Sequence, residues 1–380
     1  MTEKLYYKDA YIKQFEAEVL SSEKCGNGYR IILDKTAFFP NEGGQYSDRG
    51  YIMNLRVIDV REENGIIYHY TDLALKTGEL VECKLDFEER FDKMQQHTAE
   101  HILSGIIHTL YGFDNVGFHL GPDEVTMDVS APMDAQMIAR VEREANLAVF
   151  GNLPVEAFFP TEKELENITY RSKSELTENI RIVTVAGVDS CACCAPHVKS
   201  TGEIGLIKIL KRESLRGGVR LWIAAGERAY RDYIERARET ERISALLSAP
   251  VNEVFSAVNA QNESFKELKA DNRRLEAALT ERIADGFVYT EGNAVLYLPE
   301  LSIDALRSLS KLILDKVSGV LVLLCGKEGD FKYVLSSKSS DLRVAIKDYN
   351  SALGGKGGGR SEMVQGSFTA TLEEIKKYFK

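Results

Sequence analysis

No stretch of this chain stays apolar for long enough to cross a membrane. The longest uninterrupted aliphatic run, Val320 to Cys325, falls far short of the ~20 residues a helical span needs. The opening residues, Met1-Thr2-Glu3-Lys4-Leu5, hold no apolar segment of secretory-signal length. A cytoplasmic protein with no membrane partner is the expectation. Cysteine is scarce as well, and six in 380 residues exclude a disulfide-built scaffold. An excess of positive charge is also missing. Forty-eight basic against 58 acidic side chains leave a net charge of −10, which argues against broad attraction to nucleic acid. Internal repeats and low-complexity tracts are absent. What remains is ordinary globular material, 44% hydrophobic and 28% charged.

Four segments differ in pattern, and together they predict an α+β protein. Residues 1–90 carry short alternating runs such as Tyr29–Leu33, Arg56–Val60 and Ile66–Tyr70, separated by Gly, Asn and Asp. Strands at that spacing predict a small N-terminal β-barrel. Residues 91–225 mix types, with helices over Phe91–Leu110 and Pro132–Phe150 and strands near Ile180–Val185, Gly205–Lys211 and Val219–Ala224. Residues 226–285 read as a helical arm. Beyond Pro250 an a/d seam runs through Val251, Val254, Val258, Gln261, Phe265, Leu268, Asn272, Leu275 and Leu279. It fits either an intramolecular hairpin or a homodimeric coiled coil. Residues 286–380 alternate strand and helix and predict a small C-terminal α/β domain.

The chemistry concentrates in two short segments. His97 and His101 lie four apart in the first predicted helix, so both imidazoles share a face. Cys193-Cys194-Ala195-Pro196-His197 offers a thiol and an imidazole at a spacing that can close a metal shell, and a thiolate with imidazoles favours Zn²⁺. Spacing alone leaves Cys191 and Cys194 as alternatives to Cys193. His108 sits on the same helical face, but ~16 Å along the axis from His97, which predicts a structural role. His97-Thr98-Ala99-Glu100-His101 also fits the H-x-x-E-H pattern of a zinc metalloprotease, with Glu100 as base. Glu100 is otherwise expected to face solvent. Further on, Gly354-Gly355-Lys356-Gly357-Gly358-Gly359-Arg360 suits a phosphate or a nucleotide end, because glycine lets the backbone approach closely and Lys356 and Arg360 add charge. It lacks P-loop spacing, so ATP is not implied. The run from Lys199 to Arg220 holds Lys199, Lys208, Lys211, Arg212, Arg216 and Arg220 against Glu203 and Glu213. It is either a solvated face or a competing RNA track.

Three segments in order resemble one family, the alanyl-tRNA editing proteins that act in trans, also seen as the editing half of alanyl-tRNA synthetase. Phe38-Phe39-Pro40-Asn41-Glu42-Gly43-Gly44-Gln45-Tyr46-Ser47-Asp48-Arg49-Gly50 is similar to its glycine-rich barrel motif. His97-x-x-x-His101 with Cys193-x-x-x-His197 resembles its zinc signature. The Gly354–Gly366 segment resembles its C-terminal DHHA1 domain, as in the family's long form. The resemblance implies one zinc per chain on His97, His101, Cys193 and His197, and substrate contacts from Gly43, Gly44, Gln45 and His119. It implies tRNA contacts at Lys356 and Arg360. The activity it implies is hydrolysis of mischarged Ser-tRNA(Ala), Gly-tRNA(Ala) or both. A non-catalytic, zinc-stabilised tRNA-binding module is the non-enzymatic alternative. The family's usual Cys-Gly-Gly-Thr-His is replaced here by Cys193-Cys194-Ala195-Pro196-His197, which keeps the ligand types and alters the loop. A chain starting at the editing-type barrel leaves no room for an activation domain, so no tRNA charging is expected.

Overall fold

The computed structural model describes residues 2–172 and 180–380 as a mixed α+β protein. Its backbone divides into two compact units, Met1–Glu239 and Thr240–Lys380. No helix among the described residues is long and apolar enough to cross a membrane.

The first unit opens with strands β1 (Glu3–Lys4), β2 (Gln14–Cys25), β3 (Gly28–Leu33), β4 (Lys35–Thr36), β5 (Gly50–Ile52), β6 (Leu55–Val57), β7 (Asp59–Glu63), β8 (Ile66–Thr71) and β9 (Leu80–Leu85). Short β1 pairs with β4, and the other seven form one antiparallel sheet in the order β6-β5-β9-β2-β3-β8-β7, curled into a nearly closed barrel. Alternation explains the curl. In β9 the residues Val81, Cys83 and Leu85 turn inward and Leu80, Glu82 and Lys84 outward, so one face buries apolar surface and the other stays wet.

Inside that barrel sits His69, fully buried. Its Nδ1 donates to the Ile31 carbonyl (3.1 Å), and its Nε2 accepts from the Thr36 hydroxyl (2.8 Å). Burial lowers its pKa from 6.5 to about 4. The unfolded chain therefore takes up a proton near pH 6.5 that the folded chain refuses until about pH 4. Stability is expected to fall through that window, by ~3 kcal/mol at its acid end. Denaturant midpoints measured across pH 4–7 check this, and His69→Gln should flatten that part of the profile.

Helix α1 (Phe87–Tyr111) follows, starting one turn earlier than the sequence predicts and closing on Gly112 at φ 69°. Beyond it come β10 (Asn115–Leu120), β11 (Val125–Val129), α2 (Ala135–Phe150), β12 (Val155–Phe158), α3 (Glu162–Leu165), β13 (Ile182–Val185), β14 (Asp189–Ala192), β15 (Ile207–Leu215) and β16 (Gly218–Ala225). They make a four-stranded sheet β10-β11-β16-β15 and a three-stranded sheet β12-β13-β14. Helix α1 is covered on most sides, and Lys93, Gln95, Gln96, His97, Thr98, Glu100, His101 and Ser104 are all buried. Buried polar groups must be bonded, and these are: Gln96, for one, donates to the Ala225 carbonyl and accepts from its N–H, both at 2.8 Å.

Helix α4 (Gly226–Leu247) leads to the second unit: α5 (Val254–Gly286), β17 (Ala294–Tyr297), α6 (Ile303–Ile313), β18 (Leu321–Lys327), β19 (Asp330–Ser336), α7 (Leu342–Ala352), β20 (Lys356–Gly359), β21 (Met363–Phe368) and α8 (Leu372–Tyr378). Its sheet runs β17-β18-β19-β21-β20, parallel only between β17 and β18. Two expectations meet facts here. The glycine-dense stretch is an edge strand rather than a loop, with Gly357 opposite Gly366. A Cβ on either would strike the paired strand's backbone (Gln365 O at 2.3 Å from Gly357, Lys356 O at 2.1 Å from Gly366) and the Tyr333 hydroxyl at 2.3 and 2.5 Å, so both the pairing and that side chain require glycine there. The α5 seam is open to solvent: Phe265, Leu268 and Leu275 are each more than 60% exposed.

Candidate metal centre

Four side chains converge where α1 meets the loop after β14. His97 and His101 come from α1, one turn apart, while Cys193 and His197 come from the loop. One ligand atom from each lies within 4.8 Å of all the others. Cys193 Sγ is 3.6 Å from His97 Nε2 and 3.3 Å from His197 Nε2. The three imidazoles are almost completely buried.

The outer nitrogens decide what this cluster is for. His97 Nδ1 meets Gln45 Oε1 at 2.9 Å, and His101 Nδ1 meets Asp189 Oδ2 at 3.1 Å. His197 Nδ1 lies 3.0 Å from Thr98 Oγ1, whose own proton goes to the Met94 carbonyl at 2.7 Å. Each acceptor fixes its imidazole as Nδ1–H, so every Nε2 turns a lone pair toward Cys193. Three nitrogens and a sulfur facing one another, with nothing between them to share a proton with all, fit a tetrahedral cation.

Electrostatics make the centre a thiolate with a neutral His197 and a protonated His101, which must give up that proton to ligate a cation. Burial pushes the Cys193 thiol up, but His97, His197 and His101 outweigh it and hold it well below the usual thiol range. Burial lowers His197 to about 3. For His101, burial also lowers, yet the hydrogen bonds to Asp189 and Cys193 raise it well above an ordinary histidine. Asp189 is itself gripped by Arg171 at 2.8 Å. The thiol alternatives separate here. Burial raises both the Cys191 and Cys194 thiols. Cys191 sits beside Asp189 and His101, whereas Cys194 Sγ lies 3.3 Å from where a Gly43 side chain would begin.

The glycine-rich segment reaches the centre through Gln45. Gly43 and Gly44 adopt φ 62° and 80°, and a Cβ on Gly44 would strike the Phe118 carbonyl at 2.5 Å. That close approach lets Leu120 N–H donate to the Gly44 carbonyl at 2.8 Å and seats the fully buried Gln45 against His97. Gln45 Nε2 is buried with no acceptor among the described residues. Just behind the loop, Asp48 joins buried Arg90 and, at 3.2 Å, buried Lys93. His119 is exposed on β10. His108 pairs with Asp114 at 2.9 Å near the helix end, away from the cluster.

Glu100 does not face solvent as expected. It is 1% exposed, accepts from Ser104 Oγ at 2.6 Å and from Asn115, and lies 4.0 Å from His101 Nε2. The neighbouring helix turn and β10 enclose it. The basic run of the first unit is largely matched. Lys208 meets Glu142, Arg220 meets Asp128 and Arg212 donates to the Met133 carbonyl. Sequence spacing missed Asp189, Thr98, Asp48 and Arg181. Nothing local marks them, because only the fold brings them to the loop.

Comparison with known proteins follows the same geography. Residues 2–89 match the family model for class II (A) tRNA synthetases, and residues 180–221 match the threonyl and alanyl tRNA synthetase second additional domain. The chain is similar to the alanyl-tRNA editing protein Aarsd1 of Mus musculus, at 26% identity over 96% of this chain and 94% of that one. It is also similar to the alanine–tRNA ligase of Archaeoglobus fulgidus, at 29% over 98% of this chain but only 43% of the ligase. Similarity to the alanyl-tRNA editing protein AlaX-L of Pyrococcus horikoshii is 31% over 99% of this chain and 96% of that protein. With a relative that close matched from end to end, the chain belongs to the alanyl-tRNA editing proteins.

Proposed function

We propose that this protein is a trans-acting aminoacyl-tRNA hydrolase that removes serine, glycine or both from alanine tRNA, with one zinc ion on His97, His101, Cys193 and His197. One observation carries the reading. All three imidazoles spend Nδ1 on a fixed acceptor and present Nε2 to a single thiolate. A packed histidine cluster has no reason for that uniform orientation, whereas a metal shell requires it.

Zinc held by all four side chains would have no open position for water, so it would polarise the ester or water only where one ligand gives way, and would otherwise position the substrate. The chain's own residues supply position. Gln45 orients His97 and holds a spare N–H₂ inside the site, suited to an acyl oxygen of the substrate. Gly43 and Gly44, whose missing side chains make room for Cys194 and Phe118, shape the loop that seats Gln45 and are assigned to the substrate contact through their backbone. His119, exposed on the neighbouring strand, is a more distant contact. Lys356 and Arg360, flanking the exposed edge strand β20, are assigned to tRNA phosphates. The four-part division at residues 90, 225 and 285 is retained as a functional one: barrel, editing domain, arm and tRNA-contacting domain. The open α5 seam supports a homodimer through the arm. ATP has no part in the reaction.

Glu100 counts against the zinc-protease alternative, because Ser104 and Asn115 hold its carboxylate in a buried network. The test measures release of amino acid from alanine tRNA charged with serine, glycine or alanine, beside casein cleavage. Serine or glycine release, with alanine spared and casein intact, is the expected result. In the same assay Glu100→Gln should keep most activity, since a positioned general base typically contributes ~10²–10⁴-fold. A loss of that size with zinc in place would return Glu100 to the mechanism. Tight tRNA binding without release of any amino acid would leave the non-catalytic module.

A further inference from the structure

The loop carrying Cys193 and His197 is held from behind by Arg181. Its Nη1 donates to the carbonyl oxygens of Cys193 at 3.0 Å and Ala195 at 2.8 Å. A guanidinium has five N–H donors, and these bonds leave Nε and Nη2 without an acceptor among the described residues. Yet the residue is only 7% exposed. The other described cations around the loop are matched: Arg171 grips Asp189 and Lys4 meets Glu62, each at 2.8 Å. A buried cation with no carboxylate partner is costly to keep. Clamping the loop explains one nitrogen and leaves the other two without a partner among the described residues. An open pair of guanidinium donors is the form that grips a phosphate.

An aromatic surface adjoins it. The Arg181 guanidinium lies over the Tyr7 ring, 5.2 Å from its centroid. Tyr7 meets Phe159 edge-on, also at 5.2 Å. Phe159 follows β12 and is 49% exposed, a flat apolar ring kept at the surface one ring away from that cation.

The geometry points to Arg181 and Phe159 as the seat of the RNA's terminal nucleotide, the guanidinium taking its phosphate and the phenyl ring its base. This rests on the deacylase reading. The scissile ester hangs on the ribose of that nucleotide, whose 5′-phosphate is only a few covalent bonds away. Such a phosphate must land within about one side chain of the metal centre. Arg181 stands at that range, bonded to the carbonyl of Cys193 itself. Every base has a face to stack, so the seat recognises an RNA end without reading its sequence.

The test uses the zinc-loaded full chain and three serine esters: charged alanine tRNA, the 3′ ester of cytidylyl-adenosine, and the 3′ ester of adenosine, which lacks the phosphate. The wild-type protein is expected to favour the dinucleotide ester over the adenosine ester by about 10- to 100-fold in kcat/KM, mainly through KM. Arg181→Gln should bring that ratio close to one while zinc content holds, and Arg181→Lys should restore part of it. Phe159→Ala should slow both small esters by about 5- to 100-fold and leave their ratio intact. A wild-type ratio near one, a ratio that survives Arg181→Gln, or unchanged rates in Phe159→Ala would overturn the assignment. Should Arg181→Gln not fold, the wild-type ratio and Phe159→Ala decide it. Failure of the wild-type protein on charged tRNA would defeat the deacylase reading instead.

Discussion

His97→Ala is expected to lose both bound zinc and deacylase activity. A residue that merely orients a metal ligand is worth ~10–100-fold in metal affinity, so deleting a ligand should cost more than ~100-fold. The loss should be larger still because His97 has two partners. Its Nε2 faces Cys193 and its Nδ1 holds Gln45, so alanine removes a ligand and releases the buried amide together. Cys193→Ala is expected to behave alike, since Cys191 groups with His101 and Asp189 alone and no other thiol is grouped with all three imidazoles. Cys191 lies against Asp189 and Cys194 turns toward the glycine-rich loop. Cys194→Ala should therefore keep its zinc. Metal analysis of the three purified proteins, beside their deacylation rates, checks the set. Full zinc in Cys193→Ala would move the thiol role to a neighbour.

The second large effect is on stability. Asp48 is 1% exposed and is shared by Arg90 and Lys93, themselves 1% and 0% exposed. Burial raises its pKa, but the two cations and the Phe39 N–H outweigh that and hold it below the usual carboxylate range. Asp48→Ala leaves both cations buried with one carboxylate fewer. Breaking a buried pair in this way costs ~3–5 kcal/mol, a large share of the stability of an ordinary domain. Arg90 also bonds the Ala10 and Ala37 carbonyls, and Lys93 the Ser47 carbonyl, so the network ties the barrel to α1. Urea unfolding should show a lower midpoint, and the glycine-rich loop should lose its grip on His97. An unfolding free energy within ~0.5 kcal/mol of wild type would show the cations to be satisfied by carbonyls alone.

How far the sequence reaches depends on the range over which each feature is determined. Helical spacing joins His97 to His101 because α1 places them a turn apart, and Cys193 to His197 because one short loop holds both. Gly112 ends α1 where a left-handed residue is required. Those are local facts and they are legible. The partners of the imidazoles are not. Asp189, Thr98 and Gln45 come from a strand, a helix and a barrel loop, and only packing makes them neighbours. The burial of Glu100 was illegible for the same reason, since its side is covered by β10, fifteen residues on. The glycines of β20 mislead in another way. They read as backbone freedom for a ligand, while the fold uses Gly357 and Gly359 to bring the paired strand close and Gly357 to make room for Tyr333. The arm's seam is legible in pattern, and on α5 its Phe265, Leu268 and Leu275 lie exposed.

The most direct measurement is a zinc titration of the metal-stripped full chain, following serine release from alanine tRNA at each step. The four-ligand centre predicts activity that rises with added zinc and breaks at about one equivalent per chain, with no such rise in His97→Ala. Serine release at full rate before any zinc is added, and unchanged by it, would contradict the account.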